Sequence, residues 1–323
     1  MTSTPTSTPP TPPGTSPDDA PPDSDRTGRD ALSAPWTRRV LWANLVAQIG
    51  IIVTGGAVRL TGSGLGCSTW PQCEPGRFTP EFHPETAAHA FIEFGNRTLT
   101  GVLGVVALAV AVMIWRQRDR ATWYRRLALV PLVGVLAQAV IGGITVLASL
   151  HPAVVGLHML VSLVLVAVSA LLLVRDRRED RAEVDPTTRR LAGVLLAVGV
   201  LLMVLGVITT GAGPYGGDAQ RAQRWALDPV LVARAHAWAV WVFLAVLAVC
   251  LWRLHRTGAR DRLRRAWWAL LGVTAAQGVV GYVQYFTGLP EVIVGVHLLG
   301  TGVLTATLTW AYSELYPWRS ARS

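Results

Sequence analysis

Eight apolar runs restrict this chain to folds that span a membrane. Each run has about 20 residues, enough to cross the hydrocarbon core of a bilayer as a helix. Hydrophobic residues make up 51% of the 323 residues and charged residues 15%, whereas a soluble domain carries about 25% charged residues. We therefore expect an all-α polytopic membrane protein with eight transmembrane helices, at 39–59, 88–115, 127–147, 153–174, 191–211, 230–252, 266–286 and 291–315.

Arginines concentrate in alternate loops between these runs. Clusters precede the first run, follow the second, fourth and sixth, and end the chain. Because loops rich in basic residues stay in the cytoplasm, both termini are predicted to be cytoplasmic. This topology accounts for the net charge of +9 without a basic face on a folded domain. We therefore expect membrane lipid around the chain and no nucleic-acid partner.

The first 34 residues differ in composition from the rest. They are mostly Pro, Ser, Thr and Asp, with almost no large apolar side chain, so they cannot bury a core. They also lack the apolar centre of a signal peptide. We predict a disordered cytoplasmic tail over residues 1–34.

One pattern occurs twice in the chain. QAVIGGITVLASLHPAVVGLH occupies residues 138–158 and QGVVGYVQYFTGLPEVIVGVH occupies residues 277–297. In each copy a histidine follows the glutamine by twenty residues. Since each half then holds an even number of spans, both halves insert in the same orientation. We predict two pseudo-symmetric four-helix bundles, residues 35–180 and 181–323.

Three histidines lie inside apolar runs at similar depths. His158, His236 and His297 fall about six or seven residues from the outer ends of their predicted helices, roughly 10 Å below the boundary. Asn96 occupies the first-half position equivalent to His236. Because ionisable side chains are costly inside a membrane, these positions are candidate functional sites. Equal depths would let one planar macrocycle be ligated from both faces.

The three histidines predict bound iron. A pair of trans histidines is the usual way in which a helical bundle holds a b-type haem. A hydrogen bond to a neighbouring helix would explain a single intramembrane histidine equally well, but the repetition favours metal ligation by His158, His236 and His297. Zinc fits less well, because no fourth protein ligand or cysteine cluster lies nearby.

Charged residues accompany the histidines. Glu93 lies inside the second run and would be costly without a partner, and Arg97 lies one helical turn later. The pair is either structural or leaves Glu93 free for proton transfer or charge stabilisation beside a substrate. Arg234 precedes His236 by two residues and could bind a haem propionate or anchor the helix at the interface.

Cys67 and Cys73 lie in the outer loop after the first run, separated by five residues. Disulfides persist on the non-cytoplasmic side, and a short loop can be closed in this way. The corresponding loop of the second half has no cysteine. The pair therefore either stabilises the loop or serves a task of the first half, such as a redox relay.

Four motifs over residues 36–316 resemble the haem A synthase family. They are GGxxRLTGSGLGC at 55–67 with WPxC after it, IEFxxR at 92–97, HPxxVxxH at 151–158 and PEVIVGVH at 290–297. The resemblance implies an oxidoreductase of the bacterial cell membrane that supplies haem A to terminal oxidases. Its members oxidise a methyl group of haem O to a formyl group.

The resemblance also implies roles for individual residues. The second half would hold haem b through His236 and His297. The first half would bind haem O, with an essential glutamate at Glu93 and a histidine at His158. Arg97, in the same motif as Glu93, would lie beside the substrate.

Two further positions follow from the resemblance. The loop cysteines of the family fall on Cys67 and Cys73, which we expect to act in catalysis. The family usually has a second first-half histidine where this chain has Asn96. Without it, the iron of haem O would be five-coordinate on His158, and Asn96 would hydrogen-bond a water or oxygen species.

The hypothesis is that two hydroxylations of the methyl group give a geminal diol, which loses water to form the aldehyde. The haem O-forming farnesyltransferase and an electron donor are the expected partners. Two other classes compete with this interpretation. A quinol-linked dihaem electron carrier would usually place ligand pairs near both membrane faces, and a transporter would usually contain helices broken at mid-membrane.

Overall fold

Helices make up almost all of the computed structural model, which describes residues 24–81, 87–177, 184–218, 220 and 223–316. No β-strand longer than an isolated bridge occurs in these ranges. The helices are α1 (Ser24–Leu60), α2 (Ala87–Arg116), α3 (Thr122–Leu127), α4 (Val130–Leu147), α5 (Pro152–Asp176), α6 (Pro186–Ala212), α7 (Pro229–Arg256), α8 (Asp261–Phe286) and α9 (Glu291–Ser313).

The predicted class, an all-α membrane protein with eight spans, is confirmed. Eight helical segments in the described ranges are long and apolar enough to cross a membrane. The third of them, Thr122–Leu147, comprises both α3 and α4. Pro131 lies in the first turn of α4, where its missing N–H leaves no internal bond unmade, whereas inside a continuous helix it would break one.

The N-terminal segment divides at Trp36. The described residues from Thr37 onward form one compact unit, and those up to Trp36 form a separate one. Helix α1 begins at Ser24, inside the tail that was predicted to be disordered. Residues 1–23 of that tail lie outside the described ranges.

The helix starts place the three histidines at matching levels. Helices α5 and α7 each have a proline in the first turn, which is favoured there because its backbone angle suits a helix and no donor is lost. His158 follows the start of α5 by six residues, His236 that of α7 by seven and His297 that of α9 by six. At about 1.5 Å per residue, each lies roughly 10 Å along its helix.

The described core contains two large clusters of buried apolar side chains. One joins α1, α2, α3 and α5 around Leu41, Ile114 and Val166. The other joins α6, α7, α8 and α9 around Phe243 and Trp267. One cluster therefore lies in each predicted half, while the symmetry of the halves stays a prediction.

Candidate functional site

A cavity of about 400 Å³ lies between the helices. Every helix except α3 contributes to its wall, together with the loops that follow α1, α4 and α6. Predicted site residues of both halves line it: Glu93, Asn96, Arg97, His158, His236 and His297. The fold therefore brings into one chamber residues that are up to 204 positions apart in the sequence.

The histidines carry a buried polar atom with no partner. The Nδ1 atoms of His158, His236 and His297 are inaccessible to solvent and have no hydrogen-bond partner. An unsatisfied buried polar group costs about 1–3 kcal/mol, so such groups mark strain or a role that a ligand completes. All three rings border the cavity, where a bound group could engage them.

Each ring packs against a glycine of the preceding helix. A β-carbon at Gly142 would lie 3.4 Å from Cε1 of His158, and one at Gly281 would lie 3.5 Å from Cε1 of His297. At Gly206 the distance to Cε1 of His236 would be only 3.1 Å. These glycines leave room for the imidazoles, and a larger side chain would push the rings into the cavity.

The described residues fit haem better than a metal held by side chains alone. No cluster of three or more His, Cys, Asp or Glu that could hold a metal ion occurs among them. Haem iron already has four porphyrin nitrogens and needs only one or two axial imidazoles. His236 and His297 both line the cavity and offer such a pair. The donor set therefore fits an iron porphyrin.

The predicted ion pair between Glu93 and Arg97 is present. Oε1 of Glu93 accepts hydrogen bonds from Nη2 of Arg97 at 2.5 Å and from Nε at 3.1 Å. Oε2 of Glu93 accepts one from the main-chain N–H of Cys67 at 2.7 Å. Nη1 of Arg97 donates to the carbonyls of Thr69 at 3.0 Å and Gln72 at 3.2 Å. The pair borders the cavity and also holds the outer loop in place.

The outer loop reaches into the cavity wall. Cys67 and Cys73 are bonded to each other, and both are fully buried. Between them, the indole of Trp70 packs over Gly143, where a β-carbon would come within 2.3 Å of the ring. Trp70 therefore covers the cavity next to Gly142, the glycine that backs His158. This long-range contact could not be predicted from the sequence.

Asn96 is held by a hydrogen bond from α1. The hydroxyl of Thr54 donates to Oδ1 of Asn96 at 2.8 Å, and the residue lines the cavity. Its amide nitrogen lies 3.9 Å from the position of a β-carbon at Gly55. With its oxygen engaged, Asn96 presents an N–H donor to the cavity and no imidazole-like lone pair.

The structure does not bring Arg234 to the cavity. Its side chain is exposed, and it is absent from the lining. Arg59, which the sequence argument did not select, lines the cavity. It donates to the carbonyls of Tyr215 at 2.6 Å and Thr210 at 2.7 Å. Its position as the last residue of the first apolar run could have marked it, since ionisable groups inside such runs are costly.

Comparison with known proteins identifies the family of this chain. A sequence model of the family described as cytochrome oxidase assembly protein matches residues 38–229. Proteins named heme A synthase are similar to the chain. One from Symbiobacterium thermophilum is 27% identical over 292 residues, which are 83% of this chain and 90% of that protein.

The chain belongs to the haem A synthase family of cytochrome oxidase assembly proteins.

Other relatives of the haem A synthase family match a shorter region. The heme A synthase of Bacillus pumilus is 36% identical over 144 residues, covering 42% of this chain and 45% of that protein. That of Lysinibacillus sphaericus is 34% identical over 139 residues, covering 42% and 44%. The aligned part thus spans less than half the length of these two relatives.

Family membership settles the broad class of the chain. The relatives named here are bacterial, and the eight apolar helices in the described part of the chain make it a multi-pass membrane protein. The resemblance to haem A synthases predicted from the motifs is confirmed. The quinol-linked electron carrier that competed with it is not favoured by these comparisons.

Proposed function

We propose that this haem A synthase family member oxidises a methyl group of haem O to the formyl group of haem A. The observation that carries the proposal is the shared cavity, bordered by three imidazoles with unpartnered Nδ1 atoms and by Glu93. The names of its relatives support the same activity. The proposed product is haem A for terminal oxidases.

In the proposed division of labour, the second half holds a resident haem b through His236 and His297. Gly206 and Gly281 leave space for these rings, so each can turn one nitrogen toward the cavity. Haem b, when bound, would supply one-electron chemistry. The protein contributes the axial ligands, a dry enclosure and a fixed distance to the substrate.

The first half would bind haem O through His158. Gln138 donates to the main-chain carbonyl of His158 at 2.9 Å, which fixes the helix that carries the ring. Asn96 would donate its amide N–H to a water or oxygen species, since Thr54 already engages its oxygen. The iron of the substrate would then have one protein ligand.

Glu93 would act beside the methyl group that reacts. Its carboxylate is buried, with 5% of the residue exposed, and Arg97 and the N–H of Cys67 fix its orientation. A carboxylate held in this way can stabilise positive charge that develops on the substrate carbon or can accept a proton. Because its orientation is set before substrate binds, little reorganisation accompanies the reaction.

The outer loop has a proposed role in the same half. Cys67 and Cys73 would pass reducing equivalents to the first-half site, and Arg97 holds the loop that carries them. The predicted cytoplasmic placement of both termini puts this loop outside the cytoplasm. The haem O-forming farnesyltransferase and an electron donor remain the proposed partners.

The test uses cells that make haem O but no haem A. Membranes expressing the full chain should gain haem A, detected by mass and by the pyridine haemochrome spectrum, and the purified protein should contain haem B with haem O or A. His236→Ala should lose haem B. Protein that holds haem B alone and forms no haem A would support an electron carrier, and protein without haem would refute both functions.

A further inference from the structure

A partly buried cation lies at the boundary between the two predicted halves. Arg59, in the last turn of α1, donates from Nε to the carbonyl of Tyr215 and from Nη2 to that of Thr210. Neither acceptor is charged. Within the described part of the chain, no carboxylate forms an ion pair with Arg59. Its positive charge therefore has no counter-ion in a poorly solvated place, where charges are normally paired.

The surroundings of Arg59 belong to the second-half site. The carbonyl of Thr210 lies one turn outward from Gly206, the glycine that backs His236, and the Thr210 hydroxyl bonds to the Gly206 carbonyl at 2.8 Å. Arg59, Thr210 and His236 all line the same cavity. Arg59 thus lies about 6 Å outward from the level of the His236 ring.

Helix α1 also packs against α9 next to His297. A β-carbon at Gly56 would come within 2.5 Å of Leu298, the residue after His297. One at Gly295 would lie 3.9 Å from Leu60. The last turn of α1 therefore lies next to α6 and α9. Helix α6 packs against His236 through Gly206, and α9 carries His297.

The other charges of the cavity do not compensate Arg59. Glu93 is the acidic residue among the described residues that line the cavity, and it is paired with Arg97. One positive charge is left over, beside the pair of histidines. A guanidinium group has five N–H donors in a planar fork that matches a carboxylate, and the two carbonyl bonds leave donors free.

We propose that Arg59 binds a propionate carboxylate of the haem held by His236 and His297. The inference rests on the proposed haem b site of the second half. It assigns to a first-half residue a contact that the sequence suggested for Arg234, whose side chain is exposed. The second-half haem is then bound by elements from both ends of the chain.

The experiment compares haem B with its dimethyl ester, in which both propionates are neutral. Each is titrated into haem-free, full-length protein in detergent, in a His158→Ala background so that the second-half site is followed through its low-spin Soret band. Wild-type Arg59 should favour the free acid by roughly 10- to 100-fold, as expected for a hydrogen bond between charged groups. Arg59→Gln should lose this preference.

Arg234→Gln is the matched control and should keep the preference of the parent protein. If Arg59 only braced the Tyr215 and Thr210 carbonyls, Arg59→Gln would weaken acid and ester equally and retain the preference, which would overturn the proposal. Arg59→Lys, which keeps the charge, should retain part of the preference.

If Arg59→Gln does not fold, the inference is tested by comparing the affinities for the acid and the ester in the protein that retains Arg59. Equal affinity for acid and ester there would refute the inference while leaving the haem site intact. No low-spin binding of either form would instead refute the proposed haem b site, and the inference with it.

Discussion

The side-chain amide of Gln277 donates a 2.9 Å hydrogen bond to the main-chain carbonyl of His297. Gln138 makes a bond of the same length to the carbonyl of His158. In both cases a polar side chain of one helix fixes the backbone that carries a histidine of the next. Imidazole orientation is therefore set by the neighbouring helix as well as by the ring's own packing.

Replacing this amide should loosen the ring without unfolding the protein. Gln277→Leu removes the donor and should cost about 1 kcal/mol, since the His297 carbonyl keeps its bond from Thr301 at 2.9 Å. We expect broadened low-spin haem signals in electron paramagnetic resonance, with membrane insertion unchanged. Unaltered signals would mean that Gln277 does not position His297.

Gly206→Val should displace His236. The β-carbon alone would lie 3.1 Å from Cε1 of the ring, and overpacking of this kind costs about 1–3 kcal/mol. Haem B content of the purified protein should fall. The matched control is Gly193→Val in the same helix, where nothing lies within 4 Å, and its haem content should match that of the wild type.

Glu93→Gln should separate the catalytic from the structural role of the carboxylate. The amide oxygen can accept from Arg97 or from the N–H of Cys67 but not from both, because the NH2 group only donates, and the substitution removes the negative charge. We expect normal haem B content and at least about 100-fold less haem A, the size of effect typical of a lost electrostatic or acid–base group. Full haem A output from this variant would remove Glu93 from catalysis.

Asn96→His should change the coordination of iron in the first half. The new imidazole would border the same cavity as His158, so added haem should become six-coordinate and low-spin. The measurement is the optical spectrum in a His236→Ala background, in which the second site is silent. Asn96→Gln is the control and should remain five-coordinate. A low-spin spectrum in the unmodified Asn96 protein would contradict the single-ligand proposal.

Asp185, outside the membrane spans, should give the protein an acid-sensitive helix cap. It accepts hydrogen bonds from the hydroxyl and N–H of Thr188 and pairs with Arg253 at 3.1 Å. These contacts, the Thr188 hydroxyl first, lower the pKa of Asp185 to about 2. The stabilisation is therefore complete above about pH 4, the ordinary value for Asp, and is lost as the pH falls toward 2.

Asp185→Ala should lower the free energy of unfolding by about 1 kcal/mol at neutral pH, as for other N-cap losses. Thermal unfolding in detergent between pH 6 and pH 2 provides the measurement. Asp185→Asn should keep the cap and flatten the acid limb of the profile. Identical profiles for the wild type and Asp185→Asn would show that this carboxylate does not contribute to acid sensitivity.

The features that could be predicted from the sequence depend on local periodicity. Apolar runs set the eight spans, and the fixed spacing from helix starts placed His158, His236 and His297 at one level. The contact between Glu93 and Arg97 also follows from helix geometry, because residues four apart share a face. Each of these arguments needs only one helix.

The features that sequence reasoning missed depend on how helices face one another. Arg234 has the right depth, but it precedes His236 by two residues, and residues two apart on a helix do not share a face. Arg59 and Trp70 enter the cavity from elements far away in the sequence. Their positions depend on tertiary packing, which a single chain's periodicity does not encode.

The contact between Gly56 in α1 and Leu298 in α9 joins the first and the last apolar helices of the described residues. Until α9 has been synthesised, the glycine-lined flank of α1 would face lipid. A nascent chain released before α9 would leave that flank open. We therefore expect membrane quality control to detect chains that lack α9 through this exposed flank of α1.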